Sequence, residues 1–133
     1  MNKKPPVLLI VLFTVLVFSC SKEPGEGGNS TLYGTITAYN YNAEFTNLKG
    51  IYPAADEDVY LIYGNDLSYS QRIRTNYNGV YEFKYLRPGD YTIYAYSKDS
   101  TLTLVSGIYP VILNVEITEK KQTVEAPDMK IFR

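Results

Sequence analysis

TNYNGVYEFKYLRPGDYTI, residues Thr75 to Ile93, holds two chain reversals around one strand, and its reading decides the fold. Asn78-Gly79 is the best turn in the chain, because both residues tolerate positive φ and suit a type I′ hairpin. Pro88 presets the backbone for the second reversal and Gly89 closes it. Between the two, Tyr81 and Phe83 share a parity and are expected to face a core, with Glu82 pointing outward. Tyr91 leaves the second turn facing the core too. Its hydroxyl is placed to bond turn backbone in the manner of a tyrosine corner.

The same period-two pattern runs to either side, rich in Val, Ile, Thr and Tyr and punctuated by Gly, Pro, Asn and Asp. It predicts strands at Thr31–Tyr39, Asp58–Tyr63, Ser70–Thr75, Val80–Tyr85, Tyr91–Ser97, Leu102–Val105, Val111–Thr118 and Thr123–Ile131. Asn40–Tyr52 reads as a polar excursion, and Glu119–Gln122 as the last hairpin loop. No stretch of ten or more residues carries a 3.6-residue apolar period, so no helix is expected. The expected fold is all-β, a seven- to eight-stranded antiparallel sandwich.

Residues 75–83 resemble the T-D-x-x-G-x-F-x-F hairpin of the carboxypeptidase regulatory-like domains, and residues 86–93 resemble the L-x-P-G-x-Y-x-L segment that follows it. Gly34 and the spacing from Pro53 to Val59 also fit, and the resemblance covers roughly Leu32 to Ile131. It implies a transthyretin-like, or prealbumin-like, β-sandwich close to the Cna B-type modules. The sequence departs from that pattern in the length of the 40–52 loop. It departs again at Asp56 and Glu57, where Gly and Ala are typical.

Composition excludes several chemistries. The 133 residues include no histidine and one cysteine. Ser-His-Asp and Cys-His catalysis, His-ligated zinc, an intramolecular disulfide and a CxxC site are therefore out. The hydrolase activity found on the transthyretin-like fold relies on histidines and does not carry over. The Lys–Asn isopeptide bond of Cna B-type modules does not carry over either. It needs a first-strand Lys and a last-strand Asn, and residues 31–39 hold no Lys and residues 123–131 no Asn. The formal charge of −1 and the lack of a basic block give nucleic acid no electrostatic foothold.

The N-terminus reads as an address. Lys3 and Lys4 precede Val7–Phe18, an apolar run of twelve residues broken only by Thr14. A bilayer span needs about 20 apolar residues, so the run fits a secretory signal. Val17-Phe18-Ser19-Cys20 resembles the lipobox of bacterial lipoproteins, in which the cysteine is lipidated and the leader is cut before it. The reading divides the chain into a signal peptide at 1–19, lipidated Cys20 with a flexible tether at 20–29, and a domain at 30–133. Ser21 after the cysteine is similar to the sorting signal for the outer membrane of Gram-negative bacteria. Ser21-Lys22-Glu23 resembles part of a surface-export tag of Bacteroidota, so either face of that membrane fits. Loss of Lys3 and Lys4 leaves 11 basic residues against 14 acids. The tether, without an apolar residue from Ser21 to Asn29, is expected to span on the order of 15–20 Å.

No catalytic residue, metal ligand or cofactor is assigned. Asp56-Glu57-Asp58 is the only acidic cluster, and it lacks a calcium-loop pattern. The 14 tyrosines are the compositional feature that points to binding. Counting parity from Tyr91, the side chains of Tyr94, Tyr96 and Tyr60 face outward. Such a row stacks on sugar rings, anchors a protein partner, or stabilises a wet sheet face. Tyr39, Tyr41, Phe45 and Tyr52 bracket the first loop, as a ligand lip or as pins that hold it. The sequence thus leads to a lipid-anchored, non-enzymatic module with a structural or protein-interaction role, or to a carbohydrate-binding accessory.

Overall fold

A computed structural model of the chain describes residues 23–133. The signal peptide and Cys20 lie outside the described residues. Nine strands follow one another: β1 (Glu26–Tyr41), β2 (Leu48–Pro53), β3 (Asp58–Tyr63), β4 (Gln71–Arg74), β5 (Val80–Leu86), β6 (Gly89–Lys98), β7 (Ile108–Ile117), β8 (Thr123–Glu125) and β9 (Met129–Phe132). They form two sheets, and no helix occurs among the described residues. The fold is an all-β sandwich, as the alternation predicts.

The long strand β1 is the spine of the first sheet. From Ser30 to Ala38 every second residue is buried, which is the pattern of a strand with one face on a core. Ile36 N–H donates to Gly79 O at 2.9 Å, and Ile36 O accepts from Ala54 N–H at 2.9 Å. Strands β5 and β2 therefore meet end to end along one edge of β1. Strands β8 and β9 run parallel to β1 along its other edge. The second sheet has the order β4-β3-β6-β7. The core between the sheets is built from Leu32 and Ile36, Val59 and Leu61, Tyr81 and Phe83, Tyr91 and Ile93, with Ile117, Met129 and Ile131. The Tyr81 phenol packs against Gly34 and leaves no room there for a Cβ.

Five expectations are corrected in detail. First, the Asn78-Gly79 turn does not close a hairpin. Strands β4 and β5 belong to different sheets, so the turn carries the chain from one sheet to the other. Only Gly79 has positive φ, at 73°. Asn76 replaces the second positive φ: its Oδ1 accepts from the N–H of Asn78 at 2.9 Å and of Val80 at 3.0 Å, in an Asx-type turn. Second, the polar excursion at 40–52 is mostly structured. Strand β2 pairs with β1 from Thr37 to Tyr41, leaving a loop of residues 42–47. Asn42 closes that loop by accepting from the N–H groups of Thr46 and Asn47 at 2.9 Å each.

Third, Leu102–Val105 is not a strand. The Asp99 carboxylate gathers the N–H groups of Thr101, Thr103 and Leu104 at 2.8–2.9 Å and wraps the segment into a loop. These bonds, led by the Thr101 hydroxyl, lower its pKa to about 2. Fourth, Thr123–Ile131 splits into β8 and β9 at Ala126-Pro127-Asp128, because Pro127 has no N–H to give the ladder. Residues 119–122 are accordingly a link between sheets. Fifth, β1 starts at Glu26, inside the expected tether. Gly25 is buried there, its O accepting from Arg87 N–H at 2.8 Å and its N–H donating to the Tyr91 hydroxyl at 2.9 Å. That hydroxyl also donates to Arg87 O, so the tyrosine corner is present and clamps the start of the domain.

Candidate functional site

Register places the tyrosines. Tyr60 of β3 stands directly opposite Tyr94 of β6, and both side chains point away from the core. Tyr94 faces Ile112 of β7, and Tyr96 faces Pro110. On the other flank Tyr60 faces Arg72 of β4. The three tyrosines singled out in the sequence thus come together on one solvent-facing surface. A fourth, Tyr69, joins them from the β3–β4 turn, with its ring centroid 5.0 Å from that of Tyr60.

The rings are not a flat platform. Tyr60 and Tyr94 stack on each other, centroids 4.8 Å apart and planes within 7°. Each therefore spends one ring face on the other. Tyr96 meets both at 5.8 Å and at steep angles of 78° and 83°. Tyr96 and Tyr69 keep the most open surface, at 43% and 49% exposure. The patch is a ridge of two upright rings with an open ring on each side. The Tyr94 phenol is held above the usual range, first by burial and then by the phenols of Tyr96, Tyr60 and Tyr69. It stays a neutral hydroxyl at physiological pH, able to donate and to accept. Aromatic pairs of this kind also stabilise a sheet, so the ridge has a structural role.

Charges border the ridge on the β4 side. Arg74 grips Asp56 through Nη1 at 3.3 Å and Asp58 through Nε at 3.3 Å. These carboxylates, Asp56 first, raise the Arg74 pKa. Arg72 approaches Asp58 only to 3.9 Å. Glu57 turns the other way, to Arg133 Nη2 at 3.3 Å. The Asp56-Glu57-Asp58 run is thus divided between arginines. No cluster of three or more metal-binding side chains exists among the described residues.

Three of the aromatics that bracket the first loop pack around β9. Tyr41, Phe45 and Phe132 form a knot with centroids 5.7–6.1 Å apart, which pins the 42–47 loop onto β9. Tyr39 packs beside Phe132 under the Lys130 ammonium, 4.1 Å above its ring. Tyr52 pairs with Ala38 and lies on the other face of that sheet. Two open depressions of about 500 and 520 Å³ lie at opposite ends of the sandwich, around Tyr63 and Arg87 and between Phe45 and Leu104. Neither includes the tyrosine ridge.

Tyr69 is the residue that sequence reading misses. It falls in Gly64–Ser70, a turn-forming stretch where strand parity assigns no direction. Only the return of that turn over β3, with Ser70 N–H donating to Leu61 O at 2.7 Å, sets its ring on Tyr60.

No family model matches the chain, and no curated protein matches it. Solved structures do. A proposed carbohydrate-binding protein from Pseudomonas aeruginosa aligns at 14% identity and a TM-score of 0.47, over 82% of this chain and 91% of that one. A minor pilin of Streptococcus agalactiae aligns at 15% identity and a TM-score of 0.40, over 80% and 46%. An (S)-allantoin synthase aligns at 12% and 0.44, over 81% and 42%. Likenesses this distant carry no conclusion about activity, and two of the three are to chains of which this one spans less than half.

Proposed function

We propose that the chain is a lipid-anchored, non-enzymatic binding module of the outer membrane, facing the periplasm or the cell exterior, and that its tyrosine ridge binds saccharide. One observation carries the reading: four phenols from β3, β6 and the β3–β4 turn converge on a single exposed surface. A sugar is amphipathic, with C–H faces and a rim of hydroxyls. Open rings at Tyr69 and Tyr96 match the faces, and the clustered phenol hydroxyls match the rim.

A protein partner is the second reading. The stacking of Tyr60 on Tyr94 favours it, because two of the four rings have a face already occupied, and tyrosine ridges also serve as interface anchors.

A glycan array probed with the soluble form beginning at Ser21 tests the first reading. That form keeps the whole sandwich described over 23–133. Binding is expected, and the double variant Tyr69→Ala/Tyr96→Ala should weaken it at least tenfold while staying folded at the assay temperature, its melting temperature lowered only by the lost aromatic contacts. Silence of the parent protein on the array would move the search to protein partners. Anchoring has its own check. Palmitate fed to cells should label the chain and the label should be lost in Cys20→Ala, and label retained by that variant would exclude lipidation at Cys20.

A further inference from the structure

The register across the second sheet sets four side chains in one outward row: Arg72, Tyr60, Tyr94 and Ile112, each opposite the next. Neighbouring strands lie about 4.8 Å apart, so the Arg72 and Tyr94 positions are about 10 Å apart across the sheet. That span accommodates about two linked sugar rings.

Arg72 differs from the other arginine on its strand. Arg74 donates to both Asp56 and Asp58 and consumes them. Arg72 makes no hydrogen bond among the described residues, and its nearest carboxylate, Asp58, is 3.9 Å away and already held by Arg74. Its side chain is half exposed and leaves β4 on the same outward face as Tyr60, its partner on β3. A guanidinium presents a planar fork of donors that fits a carboxylate through two parallel bonds.

The geometry points to an acidic saccharide as the ligand of this ridge, with a uronate carboxylate on Arg72 and the adjoining sugar against the tyrosines. This inference rests on the saccharide reading of the same surface. General charge does not favour it: from Ser21 on, the chain has 11 basic residues against 14 acids. A preference for polyanions would therefore report a local site. An exposed ion pair is screened by salt, so the preference should shrink as ionic strength rises.

The test uses paired probes. Homogalacturonan, alginate and hyaluronan are each offered to the Ser21 form beside their carboxyl-methyl esters, and affinities are compared at fixed ionic strength. At least one acid form is expected to bind tenfold or more tighter than its ester. Arg72→Gln should bring that acid form down to the affinity of the ester and leave ester binding unchanged. Tyr69→Ala/Tyr96→Ala should weaken both forms. Equal binding of acid and ester, or an acid preference that survives Arg72→Gln, would overturn the acidic ligand while leaving saccharide binding intact. Binding to none of these polymers and to nothing on the array would overturn both.

Discussion

Gly79→Ala is expected to lower the unfolding free energy by about 3 kcal/mol, the sum of a left-handed backbone forced on a residue with a Cβ and of overpacking. Gly79 has φ 73°, and a Cβ there would lie 2.7 Å from Ile36 O and 3.0 Å from Ala54 N. Both obstacles are backbone atoms, so no rotamer change relieves them. They also belong to the junction at which β2 and β5 meet along β1, where Ile36 N–H donates to Gly79 O. Movement of Gly79 would thus disturb three strands of the first sheet. Asn78→Ala is the control. Asn78 is exposed and lacks the positive φ that a type I′ turn requires, so its replacement should cost less than about 0.5 kcal/mol. Urea unfolding of the two variants measures the difference. Equal losses at both positions would contradict the Asx-type turn described here.

Tyr91→Phe is expected to cost about 2 kcal/mol, because it strands buried backbone groups. The phenol accepts from Gly25 N–H at 2.9 Å and donates to Arg87 O, joining the entry of β1 to the turn before β6. Without it, Gly25 N–H is buried beside a ring edge with no acceptor. The loss should be local as well as global. Hydrogen exchange at the Gly25 and Arg87 amides should accelerate more than exchange in β6 and β7, since those amides sit at the end of the sandwich where fraying begins. Uniform acceleration across all strands would show that the corner does not act as a clamp on the N-terminal segment.

These two sites mark how far local sequence chemistry reaches. Parity alone orients Tyr81, Phe83, Tyr91 and Ile93 inward and Tyr60, Tyr94 and Tyr96 outward, because a strand alternates strictly. The turn half of the tyrosine corner is legible too, since Arg87 lies four residues away, whereas Gly25 is 66 residues away and is not. Pairing across the sandwich is another matter. Asn78-Gly79 looks the same in a hairpin and in a crossover between sheets, and the choice depends on Ile36 and Ala54, remote in sequence. The parallel docking of β8 and β9 on β1 is equally nonlocal. Asp99 masks its loop in a different way: Thr101, Leu102, Thr103 and Leu104 have good strand composition, and one carboxylate overrides it by taking three backbone donors. At the candidate site, Tyr69 is hidden for the same reason, because a turn has no period to read.

The proposed function rests on recognition of saccharide by the tyrosines on the outer face of β3 and β6. Aromatic NMR of the Ser21 form, titrated with a glycan that the array selects, tests it most directly. Shifts are expected at the rings of Tyr60, Tyr69, Tyr94 and Tyr96, with Tyr39, Tyr41 and the buried Tyr81 and Tyr91 unmoved. Shifts confined to Tyr39 and Tyr41, or bound glycan that moves none of the four ridge tyrosines, would contradict it.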